Sequence, residues 1–227
     1  MSTITLSARD IHSGPLILVN KDWRYHEKET LSLVPACSQN GSVLLERRAA
    51  VLLDSLMESI HGWTSIVPVS GWRSGKEQQE IWDSSISENG AAFTQKYVAI
   101  PGHSEHQTGL AIDLGRKQSH IDFIRPDFPY RGICQTFRRK APDFGFIERY
   151  PSGKEAVTGI GHEPWHFRYV GIPHAAILTR SGMTLEEYHS FLRQYPYGKT
   201  PYLYQEDGLR VAVSFLKAES GKEHLHS

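Results

Sequence analysis

Cysteine is almost missing from this chain of 227 residues: Cys37 and Cys134 are its only two. Two are too few for a disulfide framework, and neither has a C-x-x-C neighbour, so both are read as ordinary buried thiols. An excess charge of one sign is missing too. Lysine plus arginine and aspartate plus glutamate each number 25, for a formal net charge of zero. Without a basic excess, nothing points to nucleic acid as a partner. No apolar run approaches the ~20 residues of a membrane span, and Met1 to Asp10 holds no apolar stretch of a secretory leader. Internal repeats and low-complexity tracts are likewise absent. The expectation is a soluble chain without an export address. Its length suits one substantial core, expected as a single domain over residues 1–219 followed by a polar tail, 220–227.

Read in order, Leu16 to Asn20 (Leu-Ile-Leu-Val-Asn) is expected to form a first strand, and Trp23 to Gly41 a loop. Leu45, Ala49, Leu52, Leu53, Leu56 and Ile60 keep one helical face apolar, with Gly62 as the stop. Ser65 to Ser70 reads as a strand, peripheral because Pro68 cannot donate to a ladder. Ser74 and Glu77 make a capping box, so a helix should begin at Gly75 and end near Asn89 and Gly90. Arg73 then sits on the turn between a strand end and a helix start, where rigid flanks position functional side chains. Ala91 to His103 reads as a long connection and Arg116 to Pro129 as a surface loop, a candidate lid or substrate rim.

Further on, Gly132 to Lys140 has helical spacing, Phe144 to Arg149 reads as a strand, and Tyr150 to Gly161 as a turn. His166 to Val170 alternates as a strand. Pro173 to Arg180 and Leu185 to Tyr195 are expected as short helices, the second begun by a Thr184–Glu187 capping box. Tyr202 to Leu216 reads as a hairpin turning at Asp207-Gly208. His224 and His226 belong to the tail and are expected to face solvent.

The densest chemistry lies between Gly102 and Gly115. Leu110, Ile112 and Leu114 alternate with Ala111 and Asp113, the period of a half-buried strand with Asp113 on the face away from the core. A carboxylate on a rigid strand, with His106 on the turn before it, is two-thirds of a metal site. The other dense stretch is His162-Glu163-Pro164-Trp165-His166. It fits the letters of HExxH, the helical zinc-protease motif. Its context does not fit: Pro164 would break the helix, and Phe-Arg-Tyr-Val follows in strand alternation. The working pair is therefore Glu163 with His166, and His162 is a neighbour or a coincidence. With His166 as third ligand, the set of two imidazoles and a carboxylate suits zinc with an open position. Glu163 could then act as general base on a water acidified by the metal.

Ser-x-His-x-x-Gly-x-Ala-x-Asp (Ser104 to Asp113), Glu-x-x-His (Glu163 to His166) and the upstream Ser-Gly-Trp-Arg-Ser (Ser70 to Ser74) together resemble the zinc D,D-peptidases. These are the VanY-type D-alanyl-D-alanine carboxypeptidases with their VanX and VanXY relatives. The resemblance covers roughly Leu16 to Tyr195, with Trp72 where the family usually has tyrosine. It implies an α+β fold in which a small antiparallel sheet carries the zinc site and helices pack on it. It implies zinc on His106, Asp113 and His166, Glu163 as catalytic base, and Arg73 stabilising the oxyanion. Ser104 and Gln78 would help hold the substrate's terminal carboxylate.

The implied reaction is hydrolysis of the D-Ala-D-Ala bond, in the free dipeptide or at the end of peptidoglycan precursors, as in vancomycin resistance. The expected partner is thus a small peptide, with no nucleic acid and no membrane span. The likeness is nearest the VanXY group, which implies a cytoplasmic enzyme. L-alanyl-D-glutamate endopeptidases share the double motif. The hedgehog signalling domains use the same fold as a zinc-bearing binding module, but such a module needs neither Glu163 nor Arg73.

Overall fold

The computed structural model describes residues 4–6, 8–27, 31–37, 40–206, 208–218 and 224–226. Its elements in chain order are β1 (Ile4–Leu6), β2 (Leu33–Cys37), β3 (Asn40–Glu46), α1 (Arg47–Ser59), β4 (Ile66–Ser70), α2 (Gly75–Asn89) and α3 (Ala91–Tyr97). There follow β5 (Ala111–Arg116), α4 (Gly132–Lys140), β6 (Phe146–Tyr150), α5 (Glu155–Thr158), β7 (Glu163–Tyr169), α6 (Ile172–Ser181) and α7 (Leu185–Leu192). The chain closes with β8 (Tyr202–Glu206), β9 (Leu209–Val213) and β10 (His224–His226).

This is the expected α+β fold. Its centre is a four-stranded antiparallel sheet in the order β4-β5-β7-β6. Alternation sorts the two faces of that sheet. Ile112 and Leu114 of β5, Phe146 of β6, and Phe167 and Tyr169 of β7 join Leu53, Leu56 and Met57 of α1 and Phe137 of α4 in one buried core. Asp113 and His166, out of phase with them, are left for the other face, where they pair directly across the ladder. A second core joins Ile147 of β6 to α6, α7 and the β8–β9 hairpin.

Several expectations hold. β4 is an edge strand, as Pro68 required. The Ser74–Glu77 and Thr184–Glu187 capping boxes both form. Cys37 and Cys134 are both buried, and neither is in a disulfide. Segment 116–129 forms no helix or strand after Arg116.

Others are corrected. Leu16 to Asn20 is no strand. Among these residues only Asn20 makes a bridge, to Trp23, and the carbonyls of Pro15 and Ile17 accept from the buried Arg168 guanidinium instead. Part of the supposed loop 23–41 is the hairpin β2–β3, whose register slips between Pro35 and Cys37. A bulge there accommodates the proline. Leu45 therefore belongs to a strand. Helix α1 begins at Arg47, its first N–H groups capped by the Glu46 carboxylate. The connection 91–103 contains α3, in which Phe93 packs on Tyr97 one turn later. The stretch 150–161 holds the short α5, and α7 stops at Leu192 rather than Tyr195.

In the expected tail, His224 to His226 pair backbone-to-backbone with Ile4 to Leu6. Asp207 of the expected turn, tail residues 220–223 and 227, and the side chains of His224 and His226 lie outside what is described.

Candidate active site

Two ligand candidates come from neighbouring strands and the third from a tight turn. Asp113 on β5 and His166 on β7 are cross-strand partners, and His166 Nδ1 lies 2.9 Å from Asp113 Oδ1. His106 sits on the 3-10 turn Glu105–Thr108, which ends at Gly109 in the left-handed conformation (φ 72°). A side chain at Gly109 would also press on the backbone of Glu46. His106 Nε2 reaches Asp113 Oδ2 at 3.1 Å. The three groups are buried and offer ligand atoms within 4.8 Å of one another, the one such group of three among the described residues.

The tautomer of His106 follows from its other contact. Nδ1 lies 2.7 Å from the carbonyl of Gly71, and a carbonyl can only accept, so Nδ1 carries the proton. Gly71 itself lies too close to β3 for any side chain, since a Cβ there would lie 2.3 Å from the Leu44 carbonyl oxygen. Burial and the neighbouring Arg73 push the His106 pKa down to about 4, so the ring is neutral at pH 7. Its Nε2 lone pair then faces a carboxylate oxygen, an arrangement that calls for a cation. Burial alone would raise Asp113, but the two histidines hold it well below the usual carboxylate range. A buried set of two imidazoles and one carboxylate, with acceptor atoms converging, fits zinc.

Glu163 and His166 are three apart, and in a regular strand they would point to opposite faces. They do not, because β7 is bulged. Glu148 pairs with Phe167 but Tyr150 pairs with Glu163, so two steps on β6 oppose four on β7. Pro164 lies in the extra loop of chain, and Glu163 and His166 line the same pocket. His166 Nδ1 and Glu163 Oε2 are 3.8 Å apart. Burial holds the Glu163 carboxyl well above its ordinary pKa; His166 and Arg73 oppose this and Asp113 adds to it.

Arg73, Gln78 and Ser104 line that pocket as well. Arg73 places Nη2 3.9 Å from Asp113 Oδ2, and among the described residues its buried Nε has no hydrogen-bond partner. Gln78, in the first turn of α2, gives one N–H to the Ala99 carbonyl at 2.8 Å, and its Oε1 is buried without a partner among the described residues. The Ser104 side chain caps no helix N–H. Phe123 and Ile124, from the expected loop 116–129, form part of the wall. His162 is elsewhere: its Nε2 lies 2.6 Å from the Tyr130 hydroxyl.

Sequence reasoning missed the support of the site. Tyr150 packs against His166, with ring centroids 4.8 Å apart. Glu105, between Ser104 and His106, is buried together with Arg149 and Arg168. The available signal was an arginine beside aromatic residues on a strand at each of two places, Phe-Ile-Glu-Arg-Tyr and His-Phe-Arg-Tyr-Val.

Comparison with known proteins places the chain in a family. The VanY model, described as D-alanyl-D-alanine carboxypeptidase, matches residues 42–172. The bifunctional D-Ala-D-Ala dipeptidase and D-Ala-D-Ala carboxypeptidase VanXYC of Enterococcus gallinarum is 42% identical over 181 residues, 79% of this chain and 95% of that protein. The vancomycin-resistance D,D-dipeptidase VanXYg, solved with a D-Ala-D-Ala phosphinate analogue, has a TM-score of 0.95 and 48% identity, covering 99% of this chain and 89% of that one. A mutant of the D,D-pentapeptidase VanY from a VanB-type resistance cassette, solved with Zn(II), has a TM-score of 0.63 and 32% identity, covering 77% and 98%. A family model spanning more than half the chain, and a relative matched along nearly its whole length, establish that this chain belongs to the VanY-type D-alanyl-D-alanine carboxypeptidase family of peptidases.

Proposed function

We propose that the protein hydrolyses the D-Ala-D-Ala peptide bond, in the free dipeptide and at the C-terminus of peptidoglycan precursors, with zinc held by His106, Asp113 and His166. One observation carries the reading. A buried carboxylate, Glu163, and a half-buried guanidinium, Arg73, whose buried Nε has no hydrogen-bond partner among the described residues, line the same pocket as the three ligand candidates. Bound there, zinc supplies a Lewis acid that polarises a carbonyl and acidifies water.

The chain's own groups do the rest. Glu163 takes the proton of the attacking water and returns it to the departing amine of D-alanine. Its burial favours this, because a carboxyl with a raised pKa exchanges protons nearer neutral pH. Arg73 faces the oxygen on which negative charge develops, where a preorganised cation stabilises the transition state most. Ser104 and Gln78, the latter through its remaining N–H, hold the terminal carboxylate. Phe123 and Ile124 close the wall around the small side chains. A cytoplasmic place of work and a part in vancomycin resistance belong to the same proposal. Among the described residues no helix is long and apolar enough to cross a membrane.

The test is D-Ala-D-Ala turnover before and after exhaustive chelation, with zinc then restored. Loss and recovery of turnover are expected, and undiminished hydrolysis by the chelated protein would sink the zinc assignment. Equal cleavage of free and C-terminally amidated peptides would point to an endopeptidase instead.

A further inference from the structure

We propose that Glu105 is a positioning residue for His166: its Oε2 receives the Nε2–H of that ring and so turns the Nδ1 lone pair toward the metal position. The inference rests on the zinc reading above and concerns how one ligand is oriented.

Two buried atoms carry it. Glu105 Oε2 and His166 Nε2 have no hydrogen-bond partner elsewhere in the described structure, and they face each other at 3.5 Å. The other carboxylate oxygen is already occupied. Glu105 Oε1 lies 2.8 Å from Arg149 Nε and 2.8 Å from Arg168 Nη1. With both guanidiniums on Oε1, only Oε2 is left for the imidazole. At the far side of the ring, Nδ1 lies 2.9 Å from Asp113 Oδ1, so Nδ1 is the nitrogen on the side of the other ligand candidates. A ligating nitrogen must offer its lone pair, and the remaining nitrogen must then hold the proton. A carboxylate beside Nε2 favours that tautomer, as partners behind metal-bound histidines generally do. His106 has a counterpart in the Gly71 carbonyl, which accepts from Nδ1 and leaves Nε2 for the metal.

Glu105 is itself held from several directions. Arg149 forks onto Glu186 of α7 at 2.9 and 2.6 Å, and Asn20 donates to Glu186 at 3.0 Å. Arg168 donates to the carbonyls of Pro15 and Ile17 at 3.0 and 2.8 Å. The irregular segment from Pro15 to Asn20 is therefore part of the mounting of a metal ligand. Its Pro15 and Ile17 carbonyls accept from Arg168, and its Asn20 side chain donates to Glu186, the partner of Arg149.

The experiment reads the ring rather than the reaction. In zinc-loaded wild-type protein with isotope-labelled histidine, long-range proton–nitrogen correlations should show His166 protonated on Nε2 and metal-bound through Nδ1. Glu105→Gln places an amide N–H against Nε2–H, or a weaker acceptor in place of the carboxylate. Zinc affinity, measured by competition with a chromophoric chelator, should fall ~10–100-fold, and the Nε2–H resonance should shift. Glu186→Gln leaves Glu105 and both its guanidiniums in place, and should weaken zinc binding far less. The wild-type spectrum requires no variant, so a Glu105→Gln protein that fails to fold does not remove the test. His166 ligating through Nε2 overturns the inference and leaves the zinc reading intact. So does a folded Glu105→Gln protein with unchanged affinity and an unchanged resonance. Wild-type protein that takes up no zinc overturns the zinc reading itself, and the inference with it.

Discussion

At opposite nitrogens of His166 lie two clusters of buried charge built in contrasting ways. Beside Nε2, Glu105 meets Arg149 and Arg168 at 2.8 Å, and Arg149 meets Glu186 at 2.6 Å. Beside Nδ1, Arg73 comes only within 3.9 Å of Asp113, its Nε has no partner among the described residues, and Glu163 meets His166 at 3.8 Å. Removing charge from water costs several kcal/mol per ion unless opposite charge and hydrogen bonds compensate it closely. The first cluster is compensated within the chain and fixes positions. The second is left short of partners, and a cation and a substrate would complete it. Burial of charge thus serves two ends, told apart by how closely the opposite charges meet.

The largest expected effect is at the ring both clusters share. His166→Ala should lose its zinc and with it essentially all turnover. His162→Ala should keep most of the metal, since His162 bonds Tyr130 instead. Equal zinc content of the two variants by elemental analysis would break the comparison at its centre. Next, the clusters should differ in stability. Arg149→Met leaves Glu186 without its guanidinium and Glu105 with only Arg168, and should cost ~3–5 kcal/mol in denaturant unfolding. Arg73→Met, which removes a poorly compensated charge, should stay within ~1 kcal/mol of wild type. Equal losses would make Arg73 a structural residue.

Catalysis should show the reverse order. Glu163→Ala should retain zinc and fold while turnover falls by ~100-fold or more. Arg73→Ala should lower kcat more than it raises KM, as a group used mainly in the transition state does. An Arg73 variant with unchanged kcat would assign that residue to docking instead.

A smaller effect is expected from the substrate side. Amidating the C-terminus of the dipeptide removes the anion from the donors at Ser104 and Gln78, a loss of ~1–3 kcal/mol in kcat/KM. Competition kinetics against the free dipeptide measure it.

The smallest effect is at the edge of the compensated cluster. Burial alone would raise Glu186, but Arg149 and then Asn20 carry its pKa below the ordinary value. A depressed folded pKa gives stability that is fully present above the unfolded pKa of ~4.3 and lost as pH falls through the folded value. Wild type should therefore exceed Glu186→Gln in stability at neutral pH, with the gap closing on acidification below ~4.3. A gap that widens on acidification would show the ion pair contributing in the wrong direction.

The two clusters were also unequally legible in the sequence. His106, Asp113, Glu163, His166 and Arg73 stood out because strand alternation and a capping box placed them at element ends, and the structure brings them into one pocket. Glu105 did not stand out. A glutamate on a turn ordinarily faces water, and its burial depends on Arg149 and Arg168 from β6 and β7, about forty and sixty residues away. The same long reach hid the fate of Leu16 to Asn20, whose apolar letters suit a strand but whose neighbouring carbonyls serve Arg168. Pro164 correctly excluded a helix for His-Glu-Pro-Trp-His. That the chain bulges there, and so puts Glu163 and His166 on one face, depends on the pairing with β6. Helix α3 was obscured because its seven residues carry too little periodicity to read.

The most direct test is diffraction at the zinc absorption edge from crystals of the zinc-loaded wild-type protein. The predicted result is one anomalous peak bonded to His106 Nε2, Asp113 and His166 Nδ1, with His166 Nε2 against Glu105. A peak held by His162, or one lying outside this pocket, would contradict it.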